Sequence, residues 1–480
     1  MHQSTKEKTE TPFQQNKIFS FYGDAKKLIK GEMVYPRMAT CWISHVCNLD
    51  CPYCIVGEAI ITMRNGEFKR IDEIAIGDEL IGYDVKTGEI KKTKVVNISA
   101  RESEEIFKMI FSGGKELRIT GEHPIYTRHG YVNAEDIYES DEILAIDGDA
   151  IYFTKVEKIS KKIETTEKVY NLECSPCNSF LANGIVVHNC LYAITNHTDR
   201  SMANRDKFLH LIDEFHEVGV ESLELSGGGE PTVHPNIYEF AEHARSKGMK
   251  TGVITNAVKI KPEEAVKVFS WIRVGIDAAT KEVYGKVKKP YMEDSFERVI
   301  ANVKSLIDLR GTSRKPRIGI KNVINNLNYD TIGQMVTLAT ELKVDYIQFK
   351  PEHSGPNVMN DYERNLAKIT IENLKVQNNG FINGGVIPGK GIHQCFMSPI
   401  HTVINARGDL QICCYYEEEE KRVGNVFQDG FKAVWNSPRH QEIIDGISIK
   451  ECNKFDCRWF AMNEKMWAAI KDDEYDISFI

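Results

Sequence analysis

The sequence predicts an α/β protein built from repeated strand–helix units, with an inserted all-β module and a cysteine-rich C-terminal region. Three observations predict this arrangement. Residues 202–350 alternate between helical patterns and short apolar strands. Residues 54–189 instead show short alternating runs separated by turn pairs such as Asn65-Gly66. Residues 191–394 contain no cysteine, whereas both flanking parts of the chain contain several.

Length and composition restrict the class of protein. A chain of 480 residues exceeds one ordinary domain, and 42% hydrophobic with 27% charged residues is typical of a globular protein. No apolar run reaches the roughly 18 residues of a membrane span, and the polar start is unlike a secretory signal, so we expect a cytoplasmic protein without membrane contact. The net charge of −8 argues against a general nucleic-acid binder.

The alternating region predicts a parallel sheet with outer helices, either open or closed into a barrel. Six strands are predicted, at residues 39–45, 222–225, 251–255, 271–276, 317–324 and 346–350. In such folds the chemistry lies in loops at the carboxyl ends of strands. Cys47 and the glycine-rich loop 227–231 both follow predicted strands.

The helix expected after the first strand is delayed until Met202. The intervening residues 54–189 also differ in charge, because they contain 17 basic and 24 acidic residues, a net of −7. The rest of the chain carries a net of only −1. We therefore interpret residues 54–189 as a separate module inserted after the first strand.

The ends of this module carry residues suited to acyl transfer. A thiol at the first position can attack the preceding carbonyl, and a second thiol follows the module. Six residues carry the pattern: Cys54, Thr120, His123, His188, Asn189 and Cys190. In this arrangement they resemble an intein of the Hedgehog/intein fold. The alternative is an ordinary β domain whose boundary residues match by chance.

The resemblance implies that the module excises itself. Cys54 attacks the carbonyl of Tyr53 to give a thioester, and His123 and Thr120 protonate and polarise the amide that is cleaved.

The later steps implied by the resemblance use the far end of the module. Cys190 takes over the acyl group. Asn189 then cyclises with the assistance of His188 and cleaves the second peptide bond. An S-to-N shift finally joins Tyr53 to Cys190.

Three further features of the module bear on splicing. No stretch resembling a homing endonuclease is present. The family often has a histidine where this chain has Asn178, which affects the assistance to asparagine cyclisation. Cys174 and Cys177 form a Cys-x-x-Cys pair that either restrains splicing through its redox state or is incidental.

Removal of the module joins Tyr53 to Cys190 and restores the spacing Cys47-x3-Cys51-x2-Cys190. This spacing resembles that of radical S-adenosylmethionine (SAM) enzymes. The resemblance implies a partial (β/α)6 TIM-like barrel and a 4Fe-4S cluster held by Cys47, Cys51 and Cys190, with Cys190 replacing Cys54 after splicing. It also implies that SAM binds the open iron and is reductively cleaved to a 5′-deoxyadenosyl radical.

The resemblance implies further SAM contacts. Gly227-Gly228-Gly229-Glu230 follows the second strand and resembles the family motif that meets the SAM amino group. Three other residues are expected at this site: Tyr53, Asn256 and Asp277. Asn256 and Asp277 end the third and fourth strands, where loop-capping roles are an equal alternative.

The C-terminal region resembles the SPASM/twitch extensions of radical SAM enzymes. It contains Cys395-x12-Gly408-x4-Cys413, with Cys414 and later cysteines. The resemblance implies a small cysteine-rich domain with one auxiliary 4Fe-4S cluster. Its expected ligands are Cys395, Cys413, Cys452 and Cys457, with Cys414 as a substitute. Zinc is the alternative metal.

The sequence therefore predicts a self-splicing precursor of a radical SAM enzyme that abstracts hydrogen from an unidentified peptide or small molecule. An electron donor such as flavodoxin or ferredoxin is expected as a partner. The expected domains are 1–53, 54–189, 190–355 and 356–480. The alternative is a non-enzymatic zinc-binding protein carrying an intein.

Overall fold

The computed structural model describes two compact units. The described residues are 22–29, 32–46, 54–84, 87–121, 123–162, 166–175, 177, 179–188, 201–288, 292, 294–352, 357–378, 380–385, 393–414, 421–449 and 459–471. The first unit combines residues 1–48, 200–353 and 359–480, and the second consists of residues 49–199 with 354–358.

The strands and helices are numbered in chain order. The strands are β1 (Met38–Trp42), β2 (Ile55–Val56), β3 (Ile60–Thr62), β4 (Phe68–Arg70), β5 (Glu79–Asp84), β6 (Glu89–Ser103), β7 (Ile106–Phe111), β8 (Glu116–Ile119), β9 (Pro124–Thr127), β10 (Gly130–Asn133), β11 (Glu142–Asp147), β12 (Ala150–Lys162), β13 (Glu167–Ser175), β14 (Ser179–Ala182), β15 (Ile185–His188), β16 (Ser222–Ser226), β17 (Lys250–Thr255), β18 (Trp271–Gly275), β19 (Arg317–Ile324), β20 (Tyr346–Pro351), β21 (Ile382–Gly384), β22 (His401–Ile404), β23 (Asp409–Gln411) and β24 (Arg422–Asn425). The helices are α1 (Tyr22–Ile29), α2 (Arg205–Glu217), α3 (Ile237–Ser246), α4 (Pro262–Val268), α5 (Lys281–Lys288), α6 (Ser295–Arg310), α7 (Ile332–Glu341), α8 (Asp361–Gln377), α9 (Val426–Asp429), α10 (Phe431–Trp435), α11 (Pro438–Asp445) and α12 (Phe460–Lys471).

The first unit is organised around one sheet, in the order β21-β20-β19-β18-β17-β16-β1-β22-β23-β24. The six predicted strands are present as β1 and β16–β20, and they are neighbours in the predicted parallel direction. Cys41 of β1 pairs with Leu225 of β16. The insertion therefore separates these two strands in sequence without preventing their pairing.

The helices cover one apolar face of this sheet. In α2, Asn204 caps the first turn by accepting a hydrogen bond from the backbone nitrogen of Lys207 at 3.1 Å. Its buried face repeats at helical spacing, with Phe208, Leu211 and Phe215 among its members. These side chains join a core that includes apolar residues from every strand of the parallel part up to β20.

The opposite face of the sheet carries buried polar side chains. Thr40 donates a hydrogen bond to Glu224 at 3.2 Å, and Arg273 donates one to Gln348 at 2.7 Å. Gly252 leaves room for the neighbouring Trp271 ring, because a Cβ atom there would lie 2.3 Å from it. This face is therefore built for polar chemistry rather than for an apolar core.

The C-terminal region contributes strands to the same sheet. β22 pairs parallel to β1, and β23 and β24 continue the sheet in antiparallel fashion. Ile404 and Leu410 also join the core that contains the strand–helix units. Other apolar residues of this region, among them Phe396, Ile400 and Met466, form a second cluster with Val34.

The second unit is an antiparallel all-β module, as predicted. Its strands follow the order β4-β3-β14-β15-β9-β11-β12-β7-β8-β2-β13-β6-β5, and β10 pairs with β9. One core cluster includes Ile55, Phe111, Ile125 and Phe180, and two smaller apolar clusters lie in the same module. Because β2 begins beside Cys54 and β15 ends at His188, both ends of the module belong to its sheet.

Within the described residues, no helix has the length and apolar character that crossing a membrane requires.

Candidate functional site

The first candidate site lies at the start of the inserted module. Thr120, directly after β8, accepts a hydrogen bond through its hydroxyl from the backbone nitrogen of Cys54 at 3.1 Å. The backbone nitrogen of Thr120 donates to the Cys54 carbonyl oxygen at 3.0 Å. The Cys54 nitrogen belongs to the Tyr53–Cys54 peptide bond. Thr120 therefore contacts the bond that the first splicing step would break.

His123 lies between the two ends of the module. Its backbone nitrogen donates to the Thr120 carbonyl at 3.1 Å, which closes a tight turn. The pKa of its imidazole is lowered to about 3, first by burial and then by nearby His188, while backbone groups of His188 and Cys54 act in the opposite direction. The ring is fully buried. A neutral imidazole is therefore close to residues at both splice junctions.

His188 ends β15 and is also buried, with 8% of its surface exposed. Burial lowers the pKa of its ring to about 4. Its Nδ1 atom has no hydrogen-bond partner among the described residues. The ring of Tyr131 meets that of His188 edge-on, with centroids 4.5 Å apart and planes at 75°.

The structure thus brings together four of the predicted splicing residues: Cys54, Thr120, His123 and His188. Tyr53, Asn189 and Cys190 lie outside the described residues. Asn178 also lies outside them.

The Cys-x-x-Cys pair of the module is buried. Cys174 belongs to the central core. The Cys177 sulfur lies 3.4 Å from the Ser179 hydroxyl, and burial raises the pKa of its thiol. Neither forms a disulfide bond within the described residues. The suggested redox control stays a prediction.

The second candidate site is the glycine-rich loop after β16. The backbone nitrogen of Gly229 donates to the Ser44 carbonyl at 2.9 Å, and that of Glu230 donates to the Val46 carbonyl at 2.8 Å. A Cβ atom on Gly229 would lie 2.2 Å from the Val46 oxygen. Only glycine permits this approach. The loop is therefore fixed to the segment directly preceding Cys47.

Glu230 stabilises the glycine-rich loop through hydrogen bonds. Its buried carboxylate accepts hydrogen bonds from the backbone nitrogens of Thr232 at 3.0 Å and Asn256 at 2.7 Å, and from the Thr255 hydroxyl at 2.5 Å. Burial raises the pKa of Glu230, and these hydrogen bonds oppose that rise. The side chain ties the glycine-rich loop to the carboxyl end of β17.

Asn256 and Asp277 both have capping roles. The Asn256 side chain accepts a hydrogen bond from the Val258 nitrogen at 3.0 Å. Asp277 has a φ of +60°, accepts a hydrogen bond from the Val323 nitrogen at 2.7 Å and pairs with Lys288. The loop-capping interpretation accounts for these contacts.

Sequence reasoning missed Glu352, directly after β20. The Asn325 side chain donates a hydrogen bond to it at 2.8 Å. The pKa of Glu352 is raised to about 7, mainly by burial, with a smaller rise from Asp277 and opposing effects of the Asn325 hydrogen bond and Lys288. In the sequence, only its position after a predicted strand indicated a site residue. Its burial depends on tertiary contacts that the sequence pattern does not show.

The C-terminal cysteines form a third candidate site. The Cys395 sulfur accepts a hydrogen bond from the Ser398 nitrogen at 3.5 Å, and Cys413 and Cys414 follow β23. All three are partly exposed, and none forms a disulfide bond within the described residues. Gly408 has a φ of +91° and lies against the Phe427 ring, which explains the glycine of the sequence pattern.

Several predicted metal ligands are not described. Cys47, Cys51, Cys452 and Cys457 lie outside the described residues. Within the described ranges no group of three or more potential metal ligands occurs. The available donor chemistry still fits iron–sulfur ligation, because Cys395, Cys413 and Cys414 are unbridged and accessible.

Three family models match separate parts of the chain. The pretoxin HINT domain matches residues 60–190, the Radical SAM superfamily matches 174–339, and the SPASM iron–sulfur cluster-binding domain matches 395–458. The first two matches overlap at 174–190, a segment whose described residues belong to the sheet of the module.

Several curated proteins are similar to parts of the chain. The mycofactocin maturase MftC of Mycolicibacterium smegmatis is 23% identical over 67% of this chain and 86% of its own length. The AdoMet-dependent heme synthase of Methanosarcina barkeri is 28% identical over 55% of this chain and 82% of its own.

Solved inteins resemble part of the chain. A DnaB intein from Synechocystis sp. PCC 6803 is 18% identical, with a TM-score of 0.28 over 29% of this chain and all of that one. A bacterial intein-like domain from Clostridium thermocellum is 25% identical, with a TM-score of 0.27 and the same coverage.

The chain therefore contains one region similar to the Radical SAM superfamily and one similar to the SPASM domain, together with a region similar to the HINT domain of the Hedgehog/intein class.

Proposed function

We propose that the chain is a self-splicing precursor of a radical SAM enzyme. The observation that carries the splicing proposal is the placement of His123 near both module ends. It directly precedes β9, which pairs with β15 beside His188, and its backbone nitrogen donates to Thr120, which contacts Cys54. An imidazole in this position can transfer a proton in the first cleavage, and it lies close to His188 at the second junction. The contact between Thr120 and the Cys54 nitrogen supports the same assignment.

In the first proposed step, the Cys54 sulfur forms a bond to the Tyr53 carbonyl carbon. The Tyr53–Cys54 amide bond breaks, and the thiol proton is balanced by protonation of the Cys54 amine. His123 is the proton carrier, since its imidazole is neutral at physiological pH. Thr120 orients the departing nitrogen.

In the later proposed steps, the Cys190 sulfur replaces that of Cys54 on the acyl carbon. The Asn189 side-chain nitrogen then bonds to its own main-chain carbonyl, which breaks the Asn189–Cys190 amide and leaves a cyclic imide. His188 assists this step. Transfer of the acyl group from the Cys190 sulfur to its amine gives an ordinary peptide bond after Tyr53.

For the spliced enzyme, we propose a 4Fe-4S cluster held by Cys47, Cys51 and Cys190. The cluster, when bound, supplies the electron that cleaves SAM and yields a 5′-deoxyadenosyl radical. The close approach of Gly229 to Val46 supports a ligand-binding role for this loop beside the cluster segment. Because the Glu230 carboxylate is occupied by protein donors, the glycine backbone is the better candidate to meet SAM.

Additional SAM contacts are assigned to Tyr53, Asn256 and Asp277. An auxiliary 4Fe-4S cluster is assigned to the C-terminal region, with Cys395, Cys413, Cys452 and Cys457 as ligands and Cys414 as a substitute. The partial exposure of Cys395, Cys413 and Cys414 and the absence of disulfide bonds to them among the described residues support metal ligation.

The substrate is a peptide or a small molecule, and flavodoxin or ferredoxin supplies electrons. The proposed division of the chain is 1–53, 54–189, 190–355 and 356–480, and the proposed location is cytoplasmic. A zinc-binding, non-enzymatic protein is the alternative, and metal analysis of anaerobically purified protein separates the two.

Intact-mass analysis of expressed protein tests splicing. We expect a ligated product that lacks residues 54–189 and a free fragment of those residues. A precursor carrying Cys54→Ala and Asn189→Ala is the control and should stay intact. A wild-type chain that remains full-length under reducing conditions, without the fragment, would rule the proposal out.

A further inference from the structure

The second splice junction has a neighbour that the splicing pattern does not include. His188 lies opposite Ser179 in the pairing of β15 with β14, and Tyr131 of β10 contacts its ring at 4.5 Å. The ring of His188 is buried, and its Nδ1 has no hydrogen-bond partner among the described residues. An imidazole without such a bond needs another contact to fix its orientation.

Other tyrosine rings pack against Tyr131. Its strand partner Tyr126 meets it edge-on, with centroids 4.9 Å apart, and Tyr83 lies 6.0 Å from Tyr126. The pKa of Tyr131 is raised, first by burial and then by Cys177, while Ser179 opposes the rise. A ring packed in this way has little freedom to turn and can hold an adjacent ring in place.

The chain also departs from the usual intein pattern at this end. Asn178 stands where a second histidine is common, so the pattern leaves His188 as the named assistant to asparagine cyclisation. A single assisting imidazole makes its orientation more important, because proton transfer requires correct geometry as well as a suitable pKa.

We propose that Tyr131 is a positioning residue that orients His188 for cleavage of the Asn189–Cys190 bond. In this step the Asn189 side-chain nitrogen bonds to the Asn189 carbonyl carbon and loses a proton. The bond to the Cys190 nitrogen breaks, and that nitrogen gains a proton. Neutral His188 serves this exchange, and Tyr131 acts only through it. The inference rests on the proposed splicing function.

The second cleavage can be isolated in a Cys54→Ala chain, because the first acyl transfer is then blocked. Cleavage should divide this parent into residues 1–189 and 190–480, which intact mass distinguishes. Adding Tyr131→Leu should slow this cleavage about tenfold, the order expected from loss of one aromatic edge contact. Tyr131→Phe keeps the ring and should restore the parental rate.

The first junction supplies the matched comparison. In an Asn189→Ala chain, thiol-induced cleavage after Tyr53 reports the Cys54 step. Tyr131→Leu should change this rate by less than about twofold, which also shows that the module is folded. Tyr138→Leu, made at an exposed tyrosine of the same module, should leave both rates close to those of the parents.

Each other outcome overturns the inference. Unchanged second cleavage in Tyr131→Leu means that the ring does not position His188. Equal slowing of both cleavages means a general structural role. A Tyr131→Phe chain as slow as Tyr131→Leu means that the hydroxyl, rather than the ring, matters. If neither parent cleaves, the proposed splicing function itself fails, which is a distinct result.

Discussion

The Thr120 hydroxyl accepts a hydrogen bond from the Cys54 backbone nitrogen at 3.1 Å. This nitrogen leaves the acyl group in the proposed first splicing step. The contact therefore acts on the bond that breaks, and not on the nucleophilic sulfur. It links an internal loop of the module to its first residue.

Replacing Thr120 by alanine should slow formation of the thioester. We expect a loss of about ten- to a hundredfold, comparable to removal of one group that polarises a reacting amide. Thiol-induced cleavage in an Asn189→Ala chain measures this step. Thr154→Ala is the control, because Thr154 is a buried threonine of the same module that bonds to Ser112. An unaffected rate in Thr120→Ala would show that the observed contact has no catalytic role.

The two buried histidines should remain neutral well below their ordinary range. Their pKa values of about 3 for His123 and about 4 for His188 can be measured by histidine NMR on a Cys54→Ala, Asn189→Ala precursor. In urea both should return to about 6.5. Titration of both near 6.5 in the folded chain would contradict the described burial.

These low pKa values also predict acid sensitivity of the module. A histidine whose pKa is lowered by folding contributes its full stabilisation of the folded state above about pH 6.5. This stabilisation is lost as the pH falls towards 3 to 4. Each histidine should cost on the order of 3 kcal/mol of stability by pH 4. Hydrogen exchange in β9 and β15 between pH 7 and pH 4 measures this effect.

Gly229→Ala should disrupt the glycine-rich loop, because the added carbon would lie 2.2 Å from the Val46 oxygen. We expect loss of SAM binding and at least a tenfold fall in 5′-deoxyadenosine formation by spliced enzyme. Gly285→Ala is the control, since nothing lies within 4 Å of its added carbon and it occupies α5. Comparable SAM affinity in both variants would show that the close approach is dispensable.

Glu352→Gln should change stability in a pH-dependent way. The pKa of Glu352 is raised to about 7. The protonated side chain therefore contributes its full stability to the folded state below about pH 4.5, and this stability is lost as the pH rises through 7. Facing groups are Asp277, Lys288 and Asn325. The glutamine variant should be more stable than the parent by about 1–3 kcal/mol at pH 8, with no gain at pH 4.5. Identical differences at both pH values would exclude a titrating Glu352.

Metal content should distinguish iron–sulfur clusters from zinc. Anaerobically reconstituted spliced protein should hold about eight irons, from two four-iron clusters. Cys452→Ala with Cys457→Ala should remove about four and leave SAM cleavage measurable. Zinc in place of iron, or unchanged iron in the double variant, would contradict the assignment of the C-terminal region.

The parallel order of β1 and β16–β20 could be predicted because strand–helix alternation restricts the connections. The placement of β22 beside β1 could not, since periodicity indicates a strand without naming its partner. In the module, the residues at the two ends were predictable from chemistry. The contact of Tyr131 with His188 depends on how β10 and β15 are brought together, for which the local pattern has no signal.

The pairing of Cys41 with Leu225 has a consequence for chain entropy. A flexible connection between two strands becomes less favourable as it lengthens, by about 0.6 kcal/mol for each doubling. The connection here contains a folded module whose two ends approach the same imidazole. Residues inside the folded module do not add to the entropy of a flexible connection, whatever their number. A host strand pair can then accept such an insertion, and later its loss, with almost no change in the entropy of closing the connection.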